Sequence, residues 1–197
     1  MAALLPYHTR GLLEAGCDEA GRGCLAGPVV AAAVILPPRL RLPGLDDSKK
    51  LNAARREALR LLIEQHALAW SVAHVGPEEI DAINILQASF LAMHRAISSL
   101  SGAPQQLLID GNRFVPYAGI PHVCLIKGDA RYRSIAAASI LAKTHRDERM
   151  QMLHGQHPEY GLAVNKGYPT LDHRAAIART GTCVHHRMSF RLLPEQD

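Results

Sequence analysis

The sequence predicts an α/β protein: a five-stranded mixed sheet flanked by helices, with a C-terminal helical segment. Five apolar runs of strand length are each closed by glycine or proline. Amphipathic or small-residue helical repeats separate and follow them. The first two runs, Leu12 to Cys17 and Val29 to Leu36, follow one another across a glycine-rich bend with no helix between. That favours an antiparallel hairpin, whereas the later alternation of strands and helices favours parallel crossovers.

At 197 residues the chain reads as one domain, 1–197. Hydrophobic residues at 48%, charged residues at 20% and a mean hydropathy of −0.03 exclude disordered, collagenous and multi-span membrane classes. A net charge of +4 permits an anionic partner such as nucleic acid. Cys17, Cys24, Cys124 and Cys183 contain no C-x-x-C pair and read as reduced thiols. The apolar start Met1-Ala-Ala-Leu-Leu-Pro6 is too short and uncharged for a secretory signal, and no window of 18 residues is uniformly apolar. The cytoplasm is the expected compartment.

In chain order, the Leu12–Cys17 run leads into Asp18-Glu19-Ala-Gly21-Arg22-Gly23, and Pro37-Pro38 stops the Val29–Leu36 run. Pro37 to Lys50 is loop by composition. Asn52 makes an N-cap for a helix over Ala53–His66 with Leu59, Leu62 and Ile63 on one face. Leu68–Val75 alternates with period two, its apolar face carrying Leu68, Trp70 and Val72, and Gly76-Pro77 ends it. Pro77 opens a helix whose core stripe is Ile85, Leu86, Phe90, Met93, Ile97 and Leu100. Gln106–Asp110 and His122–Ile126 read as the fourth and fifth strands. Ser134–His154 reads as a long buried helix, turning polar after Lys143, and Thr170 caps a last helix ended by Gly181.

Four acids stand where a solvated carboxylate is out of place. Asp110 ends an apolar strand, Asp129 follows the fifth strand, and Asp18 and Glu19 end the first. Ligands of open α/β sheets gather at the carboxyl ends of strands. Neighbouring strand residues point to opposite faces, so Asp18 and Glu19 share a site only if the backbone bends, which Gly21 and Gly23 make easy. Four converging carboxylates repel unless a cation lies among them, and a hard divalent ion with oxygen ligands is the natural occupant. Such a site suits phosphodiester hydrolysis. Adjacent His185-His186 without H-E-x-x-H or a cysteine pair do not make a zinc site. The run Gly21-Arg-Gly23-x-x-x-Gly27 has the wrong spacing, and an apolar β-branched run follows where a dinucleotide fingerprint needs a helix.

Gly16-Cys-Asp18-Glu19-Ala-Gly21-Arg22-Gly23-Cys-Leu-Ala-Gly27-Pro28-Val29 resembles the opening motif of ribonuclease HII. The resemblance continues through Asp47-Ser-Lys49-Lys-Leu51, Leu108-Ile-Asp110-Gly111, Lys127-Gly-Asp129 and Ser134-Ile-Ala-Ala-Ala-Ser139-Ile-Leu-Ala-Lys143. It ends with Lys166-Gly-Tyr168-Pro-Thr170, His173 and His186-Arg187-Met-Ser189-Phe190.

This resemblance implies a ribonuclease H-like fold and cleavage of the RNA strand of RNA/DNA hybrids. It also implies cutting 5′ of a lone ribonucleotide in duplex DNA, leaving a 3′-hydroxyl and a 5′-phosphate. The cofactor would be Mg²⁺ or Mn²⁺, two ions with substrate bound, on Asp18, Glu19, Asp110 and Asp129. Gly21, Arg22 and Gly23 would sense the ribose 2′-hydroxyl, and Tyr168 would pack on the neighbouring deoxyribose. Lys49 and Lys143 would contact phosphates, and the segment of about 157–190 would contribute to substrate binding. A catalytically inactive hybrid-binding module of the same fold is the alternative, though it has no use for four converging acids. Asp147 reads as a surface carboxylate. Phe190 and Leu192-Leu193 are too short a run to argue for a sliding-clamp contact over a terminus packed on the core. The expected state is a monomer without membrane association.

Overall fold

The computed structural model describes residues 4–46 and 48–194. Strands β1 (Glu14–Ala20), β2 (Val29–Ile35), β3 (Ala69–Val75), β4 (Gln106–Asp110) and β5 (His122–Leu125) form one sheet in the order β3-β2-β1-β4-β5. The β1–β2 and β2–β3 pairs are antiparallel, while β4 joins β1, and β5 joins β4, in parallel. The sheet is therefore mixed, as expected. Its parallel half brings the carboxyl ends of β1, β4 and β5 to one edge.

Helix α1 (Ala53–His66) starts where the sequence indicated, with the Asn52 side chain accepting the Arg55 N–H at 2.9 Å. Helix α2 (Pro77–Ser98) covers one face, laying Ala88, Ala92, Met93 and Ala96 against Ala31, Ala33 and Ile35. Helix α3 (Arg133–Gln156), with α1, covers the other, placing Ala137, Ala138, Ile140 and Leu141 against Ala32 and Val34. Alanines on both sides of each contact let helix and sheet approach closely. The closest approach is at Gly16, where a Cβ would stand 2.2 Å from the Ser134 carbonyl carbon. Beyond α3 come α4 (Leu162–Asn165) and α5 (Leu171–Thr180), which with Tyr160 pack on Met150 and Leu153. Phe190 and Leu192 join that cluster, so the terminus docks on the core, while Leu193 is exposed. Among the described residues no helix is long and apolar enough to cross a membrane, and all four cysteines are free.

Several elements depart from expectation. β1 extends to Ala20, so Asp18 and Glu19 lie inside it, in register with Ala32 and Ala31. β3 begins at Ala69, leaving Leu68 exposed. Its deeply buried face is Ala69, Ser71, Ala73 and Val75 under α2, whereas Trp70 and Val72 are half covered on the other side. Small residues were the buried ones because α2 lies so close, and hydrophobicity alone pointed to the wrong face. β5 stops at Leu125, with Ile126 exposed. α2 is broken at Asn84 (φ 68°, ψ 162°), whose side chain accepts the N–H groups of Leu86 and Gln87 and so caps the second half. Asparagine tolerates positive φ and caps well, which lets one residue stop and restart a helix.

Candidate metal centre and nucleic-acid cleft

Residues Cys17 of β1 and Ile109 of β4 are partners in the parallel ladder, and both side chains enter the core beneath α2. The next residue along each strand, Asp18 and Asp110, therefore points to the opposite face, toward α3. The turn after β5 adds Asp129, in a short 3₁₀ segment Gly128–Ala130. Asp18, Asp110 and Asp129 each present a carboxylate oxygen such that the three lie within 4.8 Å of one another. The Gly128 N–H donates to Asp110 Oδ1 at 2.7 Å, locking the turn that carries Asp129 to the end of β4. Glu19, in ladder alternation, leaves β1 on the α2 face. It lines the same cleft near the end of β1, where the chain turns at Gly21 (φ 94°). It stands apart from the close trio and pairs with Arg22 at 3.3 Å.

Burial pushes the Asp18 carboxyl well up from the usual carboxylate range, and the charges of Glu19 and Asp110 push it further. A Ser139 hydrogen bond and the Glu19 N–H, which donates to Asp18 Oδ1 at 2.7 Å, act the other way. Glu19 is also raised by burial, against the pull of Arg22. Crowded, desolvated, like-charged oxygens are costly unless a cation joins them. The donor set is all carboxylate oxygen, the chemistry preferred by Mg²⁺ and Mn²⁺, so the residues fit a hard divalent ion.

The trio faces a cleft of about 430 Å³ whose lining includes Asp18, Glu19, Asp110, Gly21, Arg22, Gly23, Lys143 and Tyr168. Asp129 lies behind this lining, 3% exposed. Asp47 and the side chain of Lys49 lie outside the described residues. Lys143 donates to Asp147 at 2.7 Å and stands 5.9 Å from the Tyr168 ring centre. Asp147, expected at the surface, is thus half-buried and paired, with Arg56 3.8 Å away as a second partner. Arg56, Ser48 and Ser139 also line the cleft. The sequence reading missed Arg56 and Ser139: amphipathic α1 and the alanine-rich stretch of α3 looked purely structural.

Tyr168 is 42% exposed, and its backbone carbonyl meets a hydrogen-bonded imidazole pair. The Cys183 N–H donates to His186 Nδ1 at 3.0 Å, and His173 Nδ1 lies 2.9 Å from the Tyr168 carbonyl. With Nδ1 of His186 accepting and Nδ1 of His173 donating, the 3.3 Å contact between the two Nε2 atoms is a donation from His186 to His173. Both rings are then neutral and fully used. An added proton would set N–H against N–H. Accordingly burial, followed by the charge of His173, depresses His186 to about 4, and burial lowers His173.

The unfolded chain therefore takes up a proton on His186 below about pH 6.5 that the native ring refuses until about pH 4, and His173 is lowered in the same direction. Stability from the neutral His186 is complete above pH 6.5 and is lost as pH falls toward 4, by as much as about 3 kcal/mol. Asp18 and Glu19 act in the opposite direction, since their raised values favour the native state as they protonate. Urea unfolding across pH 7 to 4 of wild type and His186→Gln isolates the imidazole contribution. We expect a shallower acid loss in the variant; parallel pH curves would contradict the neutral pair.

The ribonuclease HII family model matches residues 15–193. Ribonuclease HII of Bacteroides thetaiotaomicron is 64% identical over 190 residues, covering 96% of this chain and 95% of that protein. That of Parabacteroides distasonis is 60% identical over 193 residues, covering 98% and 97%. Among solved structures, ribonuclease H2 from Pyrococcus horikoshii superposes with a TM-score of 0.76 at 28% identity, covering 91% of this chain and 94% of that one. The ribonuclease HII from Archaeoglobus fulgidus, solved in complex with PCNA, gives 0.77 at 30% identity over 94% and 98%. With its mixed sheet, edge carboxylates and these similarities over nearly its whole length, the chain belongs to the ribonuclease HII family, of bacterial type, and is a nuclease.

Proposed function

We propose that the protein hydrolyses the RNA strand of RNA/DNA hybrids and cuts duplex DNA 5′ of a single embedded ribonucleotide, leaving a 3′-hydroxyl and a 5′-phosphate. The observation that carries this reading is the placement of the three-carboxylate cluster in one cleft with the Gly21–Gly23 loop and Tyr168. A nuclease of undifferentiated specificity needs the acids alone; a junction nuclease needs something that reads sugars on either side of them.

Asp18, Glu19, Asp110 and Asp129 would hold Mg²⁺ or Mn²⁺, two ions with substrate in place, which would supply the positive charge that acidifies a water and neutralises the phosphate in the transition state. The carboxylates orient that charge at the carboxyl edge of the sheet. Exposed backbone at Arg22 and Gly23 suits hydrogen bonds to a ribose 2′-hydroxyl, a group whose absence from DNA would leave polar backbone unpaired. The flat face of Tyr168 suits a sugar lacking that hydroxyl. Lys143, poised between Asp147 and the Tyr168 ring, supplies positive charge beside the phosphate path. The segment of about 157–190 contributes Tyr168 and the imidazole pair that meets its backbone carbonyl. One chain supplies the whole cleft, consistent with action as a monomer.

Incubating an end-labelled DNA duplex containing one ribonucleotide with Mg²⁺, Mn²⁺ or chelator, beside an all-DNA control, tests the reading. A metal-dependent cut 5′ of the ribonucleotide, absent from the control, is expected. An uncut duplex in both metals would defeat the junction assignment. Tyr168→Ala should lower kcat/KM for that duplex by roughly tenfold more than for a continuous hybrid, the loss of about 1–2 kcal/mol of apolar sugar contact. Equal losses on both substrates would remove Tyr168 from junction recognition.

A further inference from the structure

Arg146 and Arg187 are the two largest fully buried side chains among the described residues, each 0% exposed. Burying a guanidinium is costly unless its donors are met, and a carboxylate is the usual partner. Among the described residues, each hydrogen bond that these two guanidiniums make goes to a backbone carbonyl. From α3, Arg146 donates through Nε to Pro28 at 3.1 Å, through Nη2 to Ala26 at 3.3 Å and through Nη1 to Lys166 at 2.9 Å. Arg187 donates through Nε to Gly27 at 3.0 Å and through Nη1 to Arg22 at 2.9 Å. Its Nη2 finds no hydrogen-bond partner among the described residues, and burial, with Arg146 nearby, lowers its pKa to about 10.

The carbonyls belong to two segments distant in sequence, the β1–β2 connection that includes Gly21–Gly23 and the turn before Tyr168. The Arg146 guanidinium also lies 5.9 Å from the Tyr168 ring centre. At Gly21 (φ +94°) a Cβ would stand 2.0 Å from Arg146 Nε, so the loop lies directly on this side chain. Folding thus buries two guanidiniums that have no carboxylate hydrogen-bond partner among the described residues. The benefit lies in geometry: a planar fork meeting several fixed carbonyls at once holds them at set distances.

We propose that Arg146 and Arg187 are positioning residues whose guanidiniums set the spacing between the Gly21–Gly23 loop and Tyr168, and with it the preference for an isolated ribonucleotide over a continuous RNA strand. This rests on the junction reading above. Lysine keeps the charge but cannot span the same carbonyls, so Arg146→Lys is the first variant. The expected result is a fall in the ratio of kcat/KM for the single-ribonucleotide duplex to that for a continuous hybrid, by roughly tenfold to a hundredfold, as a small misplacement of recognition groups would produce. Mn²⁺ affinity should stay at the wild-type value.

In parallel, hydrogen exchange should accelerate at least about tenfold in peptides covering 21–27 and 166–168 while the sheet strands keep their protection. Arg187→Lys releases only the loop side and serves where Arg146→Lys does not fold. Proportional losses on both substrates, or unchanged exchange in both peptides, would overturn the proposal. If wild type leaves the single ribonucleotide uncut, the junction reading fails, while the exchange measurement still decides whether the arginines hold the two segments together.

Discussion

Asp110→Asn should reduce kcat by roughly 10²–10³-fold, the loss of about three or more kcal/mol of transition-state stabilisation when one ligand of a divalent ion is removed. The substitution is nearly isosteric, and the asparagine Oδ1 can still accept the Gly128 N–H, so the turn carrying Asp129 stays in place. A neutral amide also relieves the repulsion that helps raise Asp18. Metal-free melting temperature should therefore be unchanged or slightly higher, opposite to the usual effect of altering a half-buried residue. Divalent ions stabilise the native state by mass action, so Mn²⁺ should raise the wild-type melting temperature and have much less effect on the variant. Thermal melts with and without Mn²⁺, alongside single-turnover cleavage, make the check. Activity within tenfold of wild type would remove Asp110 from the metal centre.

Gly16→Ala should be the most damaging of small substitutions for stability. Its β1 position faces the start of α3, and an added methyl would meet the Ser134 carbonyl carbon at 2.2 Å, the Ile135 nitrogen at 2.3 Å and the Ser134 oxygen at 2.5 Å. All three are backbone atoms, which no rotamer change can move. Helix and sheet must separate, at a cost at or above the upper end of about 1–3 kcal/mol for overpacking. For a chain of this size that is a fall of roughly 6–12 °C in melting temperature. The displacement would also carry Ser139 away from Asp18, so metal affinity should drop with stability. A change of under a degree would mean that α3 moves away freely.

Much of this was legible in the linear sequence because it depended on local chemistry. Asn52 and Thr170 cap helices by accepting hydrogen bonds from residues three positions on, and both helices start where those residues stand. Strand ends marked by acids and glycines located Asp18, Asp110 and Asp129. Where local preference competed with packing, the reading failed. Leu68 lies outside β3, and Trp70 and Val72 are only half covered, yet Ser71 and Ala73 are buried because α2 packs close to their face. Asn84 breaks α2 within an otherwise continuous apolar pattern.

The sequence by itself determined the element types, the mixed sheet and the acid set, since periodicity, capping and the repulsion of unscreened carboxylates are properties of residues and their near neighbours. Tertiary structure decided how the acids divide, with Asp18, Asp110 and Asp129 in close contact and Glu19 on Arg22. It decided as well that two arginines, unremarkable in composition, lie wholly buried on backbone carbonyls, Arg146 joining the β1–β2 connection to the turn before Tyr168 and Arg187 holding the connection. Apart from the local Glu19–Arg22 pair, those outcomes depend on contacts between segments distant in sequence, such as Arg146 with Pro28 and Arg187 with Arg22, whose geometry arises only when sheet register, helix approach and the docking of the C-terminal segment are satisfied together.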